Sequence, residues 1–264
     1  MNNCGSTNKR ELFRLVMRLS LPSMWAQVSS VVMQYIDAAM LGHLNADAAA
    51  AAGVVASVTW LFGGLCAALT TGFTVQAAQA SGGGEQARAR GIMRHGLWVA
   101  FSVGMCMALL GLWLSVRLPV WLGAEASIHG SAARYFQIYA ISMPFVQLNG
   151  YAAGMLQSSG NMRVPGMLTA GMYGMDVLFN YLLIYGKCGF PEMGAAGAGL
   201  ATLISRICMP LMMLAYFLRD VSFRRYLRFF TWAAQGWRRI RQLLSVGLPI
   251  SVQMVLEVSA FALS

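Results

Sequence analysis

Residues 97–116 read LWVAFSVGMCMALLGLWLSV and contain no charged side chain. A helix needs about 20 mostly apolar residues to cross the hydrocarbon core of a bilayer, so this stretch predicts a membrane-spanning helix. Similar stretches lie on both sides of it, and one more begins near Leu243 and continues to Ser264. The sequence therefore predicts an all-α membrane protein with six transmembrane helices and the start of a seventh. The six spans lie at about 15–41, 50–79, 93–117, 132–158, 166–186 and 195–218.

The composition supports this class of protein. Of the 264 residues, 58% are hydrophobic and 11% are charged, whereas about 25% are charged in soluble domains. This balance excludes a soluble globular protein, a disordered chain and a disulfide-stapled secreted domain. The net charge of +10 does not indicate a nucleic-acid partner, because the basic residues lie between apolar spans. The five cysteines show no CxxC spacing and are interpreted as free thiols.

The basic residues also predict the orientation of the chain in the membrane. Of the 19 Lys and Arg residues, 15 lie in the N-terminal segment or the even-numbered loops. Only Arg117, Arg134 and Lys187 lie in the odd-numbered loops, and Arg206 lies inside the sixth span. Cytoplasmic loops carry the excess of Lys and Arg, so the N-terminus is predicted to be cytoplasmic.

Four parts are expected along the chain. They are a cytoplasmic N-terminus at 1–14, a lobe of six helices at 15–218, a basic cytoplasmic linker at 219–242, and the incomplete first helix of a second lobe at 243–264. Within the linker, residues 223–237 place aromatic and leucine side chains on one helical face and arginines away from it. This pattern fits either a helix lying flat on the lipid surface or an ordinary basic connector.

The first and seventh spans resemble each other. The first reads RLVMRLSLPSMWAQ from Arg14, the seventh reads RQLLSVGLPISVQ from Arg241, and a shift of 227 residues aligns their Leu-Pro pairs. Two similar lobes related by an axis along the membrane normal give such a parallel repeat. The identities are few, and chance is the alternative. On the repeat interpretation, the sequence holds one complete six-helix half and the beginning of another.

Three carboxylates fall inside spans: Asp37, Asp176 and Glu257. An aspartate at membrane depth costs at least about 2.5–3.5 kcal/mol on insertion scales, so each is expected to bind a cation, carry a proton or pair with an arginine. Arg206 is a candidate partner for Asp176, and such a pair would weaken the proton-carrier hypothesis. No catalytic motif such as GxSxG or HExxH occurs, so we predict no enzymatic activity and no cofactor beyond a coupling ion.

Helical spacing groups the polar residues into candidate sites. Gln34 lies one turn before Asp37 on the same face, which favours a polar cavity wall. Asp176 and Asn180 are separated by four residues and also share a face, so that their oxygens could coordinate Na⁺ or share a proton. The alternatives are that Asp37 reaches interfacial water and that Asp176 and Asn180 form a purely structural hydrogen bond. Gly150 and Gly154 form a GxxxG pattern that suits close helix packing.

Taken together, these motifs resemble the multidrug and toxic compound extrusion (MATE) family of secondary antiporters. The stretch from Leu21-Pro22 through Asp37 to Gly42-His43-Leu44 is similar to the first helix of that family. Residues 180–202, from Asn180-Tyr181 to Ala201-Thr202, resemble its fifth and sixth helices. Gly247-Leu248-Pro249 with Glu257 is similar to the start of the seventh helix in its NorM-like branch.

The resemblance implies a two-lobed transporter in a bacterial inner membrane. It would expel cationic amphipathic compounds in exchange for Na⁺ or H⁺. The implied cation site, with a possible Na⁺ at the first three residues, comprises Asp37, Asp176, Asn180 and Thr202, with Asn149 as a further candidate. Gln34 and Glu257 are expected at the substrate cavity. The family more often reads Asn-x-x-x-Asp or Asn-x-x-x-Asn where this chain reads Asp176-x-x-x-Asn180, which leaves the coupling ion open.

Two other functions compete with this interpretation. The chain could be a non-transporting fragment, or a half-transporter that needs a partner chain, such as a missing second lobe or a second copy. A flippase for lipid-linked precursors is less well supported, because it needs a cationic cavity and Arg206 is the only arginine well inside a span.

Overall fold

The computed structural model describes residues 9–44, 46–158 and 160–219, together with Pro249, Val252, Gln253 and Leu256. Within these residues all regular structure is helical. The helices are α1 (Lys9–Leu44), α2 (Ala46–Gly82), α3 (Gln86–Ser115), α4 (Leu118–Trp121), α5 (His129–Ile141), α6 (Met143–Ser158), α7 (Arg163–Ile184) and α8 (Gly194–Arg219). Short 3-10 turns cover Ala126–Ile128 and Lys187–Gly189.

The predicted all-α membrane class is confirmed. Four segments of the described chain are long and apolar enough to cross a membrane: Ala49–Gly82, Gly91–Ser115, Arg163–Ile184 and Ala196–Tyr216. They correspond to the predicted second, third, fifth and sixth spans. The first predicted span lies within α1, whose 36 residues extend about 54 Å and so exceed the roughly 30 Å hydrocarbon core.

The fourth predicted span, 132–158, is not one continuous helix. It divides into α5, of 13 residues, and α6, of 16 residues, on either side of Ser142. Pro144 is the second residue of α6, where its missing N–H removes no helical hydrogen bond, whereas inside a continuous helix it would. The backbone N–H of Ser142 donates to the carbonyl oxygens of Ile138 and Tyr139 and so closes the last turn of α5.

The helices pack into two neighbouring groups. Helices α2, α3, α5 and α6 contact one another, α7 packs along α8, and α8 also contacts α5 and α6. Helix α1 lies mainly against α7. Among the described residues, the largest buried cluster joins α2, α3 and α5 with the starts of α4 and α6. At its centre, Phe136 is fully buried and meets Phe62 edge-on with ring centroids 5.6 Å apart.

Glycines allow the closest helix contacts. A Cβ on Gly150 would lie 3.2 Å from the methyl carbon of Thr70, and one on Gly154 would collide with the Thr74 hydroxyl. The GxxxG pattern therefore does mediate close packing, here between α6 and α2. A close approach to backbone occurs at Gly104 of α3, where a Cβ would lie 2.6 Å from the Cα of Pro144.

The one-turn helix α4 follows the end of α3. Its first two residues, Leu118 and Pro119, are buried against the bundle, while Val120 and Trp121 are exposed. Trp113, near the end of α3, is also exposed. These side chains give this end of the lobe an outward-facing apolar and aromatic surface, of the kind that contacts lipid.

Several expectations concern residues that the structure does not describe. The basic linker at 219–242, with its 223–237 segment, lies outside the described residues apart from Arg219 at the end of α8. The same holds for Glu257 and for most of the predicted seventh helix. The comparison of the first and seventh spans therefore stays a prediction.

Candidate functional site

A cavity of about 240 Å³ lies between α1, α6, α7 and α8. Its polar side chains come from all four helices, and they include Gln34, Asp37, Asn149, Asp176, Thr202 and Arg206. Apolar side chains, among them Met33, Phe145 and Met172, form the remainder of the wall. The cavity therefore combines carboxylates with apolar surface, as a site for a small amphipathic cation would.

Asp37 is tied to α7 by a hydrogen bond. The side-chain Nδ2 of Asn180 donates to Asp37 Oδ1 at 2.5 Å, across 143 positions of the sequence. Asn180 is fully buried, since α7 is covered there by α1 and α8. The structure thus places Asp37 against a buried amide inside the helix bundle.

Asp176 lies on the same side of α7, one turn before Asn180. It is only 5% exposed, and the hydroxyl-bearing residues Thr202 and Ser205 of α8 lie beside its carboxylate. The Thr202 hydroxyl donates to the carbonyl oxygen of Ala198 at 3.1 Å. Asp176 and Asn180, the predicted i, i+4 pair, therefore lie on the side of α7 that faces both Asp37 and α8.

Four buried oxygen atoms in this region have no hydrogen-bond partner among the described residues: Asp176 Oδ1, Asn180 Oδ1, Asn149 Oδ1 and Ser205 Oγ. Buried polar atoms are nearly always hydrogen-bonded, because burying them unpaired costs free energy. Carboxylate, amide and hydroxyl oxygens are also the atoms that bind hard cations. The donor set fits a cation such as Na⁺, or protons shared among the oxygens.

Arg206 does not pair directly with Asp176, contrary to the pairing considered from the sequence. Its Nη1 donates to the Ser142 hydroxyl at 2.7 Å, and its guanidinium lies 4.6 Å from the centre of the Tyr139 ring. The charge of Arg206 still acts through space on Asp37 and Asp176. Both carboxylates are thereby left free of a direct ion pair with it.

The structure brings most of the sequence-predicted site residues together. Gln34, Asp37, Asn149, Asp176 and Thr202 line the cavity, with Asn180 bonded to one of them. Glu257 lies outside the described residues.

Sequence reasoning missed several polar residues of this region: Ser30, Tyr173 and Ser205, which line the cavity, and Tyr139 and Ser142, which hold Arg206. Ser205 could have been found, because it lies three residues after Thr202 on the same helical face. Tyr139 and Ser142 carried no such signal, since their contact with Arg206 depends on how α5 meets α8.

Comparisons with known proteins agree on the family to which this chain is similar. The sequence profile of the MatE family matches residues 22–182. A relative described as "Probable multidrug resistance protein NorM" from Bradyrhizobium diazoefficiens is 31% identical over 252 residues, covering 93% of this chain and 53% of the relative. "Multidrug resistance protein NorM" from Photobacterium profundum is 30% identical over 267 residues, covering 97% and 56%. The chain thus spans about half the length of the curated relatives it matches.

Solved structures show the same fold. One described as the outward-facing conformation of a multidrug resistance MATE family transporter of the MOP superfamily aligns with a TM-score of 0.80 at 23% identity, over 91% of this chain and 52% of that one. A structure described as the inward-facing conformation of such a transporter aligns with a TM-score of 0.76 at 21% identity, over 93% and 55%. The described helices therefore have the fold of about half of each of these proteins.

Proposed function

Because this chain belongs to the MatE family, we propose that it forms the ion-binding lobe of a secondary active transporter. The transporter exports cationic, amphipathic compounds in exchange for Na⁺ or H⁺. The relatives are about twice as long as this chain, and a second lobe, from the same polypeptide or from a second copy, is proposed to complete the central cavity. The basic even-numbered loops support a cytoplasmic N-terminus, and the bacterial relatives support a bacterial inner membrane.

One observation carries this proposal: two carboxylates from different helices meet the same cavity. Asp37 belongs to α1 and Asp176 to α7, and their negative charges repel each other. A bound Na⁺ or proton removes part of this repulsion, so its binding favours the arrangement in which α1 and α7 lie close together. Loss of the ion restores the repulsion and favours separation of the two helices, which gives the ion a differential effect on two conformations.

The substrate class follows from the remainder of the cavity wall. Met33, Phe145 and Met172 offer apolar contact, Gln34 offers an amide, and the carboxylates attract positive charge. Ligand sites of this kind bind an apolar body by contact area and orient it with a few polar groups. An amphipathic cation would compete with the coupling ion for the same carboxylates, and this competition is the basis of exchange.

The first test measures ion binding and needs no transport. The purified full chain is heated in detergent in sodium, potassium or choline chloride at equal ionic strength, and over a range of pH. A ligand at 100 times its dissociation constant stabilises the folded state by about 2.7 kcal/mol. We expect a clear upward shift in melting temperature with Na⁺ if Na⁺ is the coupling ion. If H⁺ is the coupling ion, the melting temperature depends on pH and does not respond specifically to Na⁺.

Asp37→Asn and Asp176→Asn should abolish the ion-dependent shift. Asp47→Asn is the matched control, because Asp47 is an exposed carboxylate in the first turn of α2 and makes no contact with the cavity. A full ion-dependent shift in Asp37→Asn would refute the proposed site. In the complete transporter, Asp37→Asn should abolish efflux without loss of folded protein, and wild-type efflux would contradict the antiport assignment.

A further inference from the structure

Arg206 brings a third charge into the cavity. Among the described lining residues, only Asp37, Asp176 and Arg206 carry charge. An arginine side chain stays protonated in proteins. With both carboxylates ionised, the cavity therefore has one net negative charge instead of two.

Two neighbours hold the guanidinium in place. The Ser142 hydroxyl accepts a hydrogen bond from Arg206 Nη1 at 2.7 Å and donates its own to the carbonyl oxygen of Tyr139 at 2.6 Å. The Tyr139 ring lies under the guanidinium, and its hydroxyl donates to the carbonyl oxygen of Thr59 at 2.8 Å. The positive charge is thus anchored to the junction of α5 and α6.

This anchoring keeps the charge near the carboxylates without blocking them. Arg206 acts electrostatically on both aspartates, yet its described contacts are with Ser142 and Tyr139. Asp176 Oδ1 stays buried without a hydrogen-bond partner among the described residues. The fixed positive charge of Arg206 therefore offsets part of the negative charge of both carboxylates. Their oxygen atoms stay available to bind a mobile cation.

We propose that Arg206 is a built-in counter-charge that limits this cavity to one monovalent cation, Na⁺ or H⁺, at a time. The inference rests on the proposed function. Without compensation, the buried Asp176 and the half-buried Asp37 would need two monovalent cations or one divalent ion, because unpaired charge in a low-dielectric cavity is costly. With Arg206 in place, one monovalent cation completes the balance.

The test counts cations near neutral pH at saturating Na⁺. Bound sodium is counted by equilibrium dialysis with radioactive Na⁺, and protonated carboxylic acid by infrared difference spectra. Both are measured on the full chain in lipid nanodiscs, relative to the double variant Asp37→Asn/Asp176→Asn. The number of bound Na⁺ ions plus protonated carboxylic acids should be one per chain in the wild type and in Arg206→Lys, which keeps the positive charge. It should double in Arg206→Gln, and that variant should also gain binding of Ca²⁺.

Each outcome has one meaning. One cation in both the wild type and Arg206→Gln overturns the role of Arg206 but leaves the proposed ion site intact. Two cations in the wild type overturn it as well, and this result does not depend on whether Arg206→Gln folds. If the wild type takes up no more cations than the double variant, the proposed function fails, and this inference fails with it.

Discussion

The contact between α3 and α6 at Gly104 gives the sharpest prediction about packing. Replacing Gly104 by alanine would place a Cβ 2.6 Å from the Cα of Pro144, 3.1 Å from its nitrogen and 3.2 Å from the carbonyl oxygen of Met143. All three of these atoms are backbone, so no rotamer change relieves the overlap. Ordinary contact begins near 3.4 Å, and the two helices must therefore separate locally by nearly an ångström.

The cost of this separation is that of overpacking a filled core, about 1–3 kcal/mol. At roughly 2–4 °C per kcal/mol for a protein of this size, the melting temperature of Gly104→Ala should fall by about 2–12 °C. The assay is thermal unfolding of the purified chain in detergent, followed by intrinsic tryptophan fluorescence. Gly53→Ala is the matched control, because Gly53 lies in helix α2 where an added Cβ would meet no atom within 4 Å, and it should not lower the melting temperature.

A rescue experiment separates backbone overlap from side-chain overlap. A Cβ on Gly111 would lie 2.7 Å from the Cβ of Ala140, so Gly111→Ala should be destabilising and Ala140→Gly should restore part of the loss. No truncation at Met143 should rescue Gly104→Ala, because the clash there is with backbone. A Gly104→Ala protein that melts at the wild-type temperature would refute the close approach of α3 and α6.

Three other substitutions test the helix packing and the hydrogen bond to Asp37. Gly197→Ala would place a Cβ 2.6 Å from the carbonyl oxygen of Leu183, so α7 and α8 should separate and the melting temperature should fall by about 2–12 °C. Asn180→Ala removes the donor to Asp37; a hydrogen bond to a charged group contributes about 1.5–3 kcal/mol, and an unchanged melting temperature would contradict that bond. Phe136→Ala should destabilise by about 3–5 kcal/mol in denaturant unfolding, and the leucine variant should lose less.

The spans were predictable because apolar length is a local property. The predicted segments 50–79 and 166–186 lie close to α2 and α7, whose ends differ by a few residues. The break at Ser142 was not predictable from proline alone. Pro22 and Pro210 also lie inside predicted spans, yet α1 and α8 run through them. Whether a proline interrupts a helix depends on what surrounds it, and that information is distributed over distant parts of the chain.

Helical spacing alone predicted the site only where its residues share one helix, and the grouping of residues from different helices came from the family resemblance. The four-residue spacing of Asp176 and Asn180 placed both on one face, as the structure shows. The bond from Asn180 to Asp37 joins residues 143 positions apart, and no local pattern encodes it. The position of Arg206 inside a span marked it as unusual. Its hydrogen bond to Ser142 depends on the α5–α6 junction, which was not predicted from the sequence.

Helix α4 has a consequence for how the lobe sits in lipid. Trp113 and Trp121 are 67% and 61% exposed, and both lie near one end of the bundle. Indole side chains prefer the boundary between hydrocarbon and headgroups, so this pair fixes the depth of that end. A thicker or thinner bilayer would then be accommodated at the opposite end, near Gly82, by tilt or by local deformation of the lipid. A change in membrane thickness would therefore tilt the lobe about the end that carries α4.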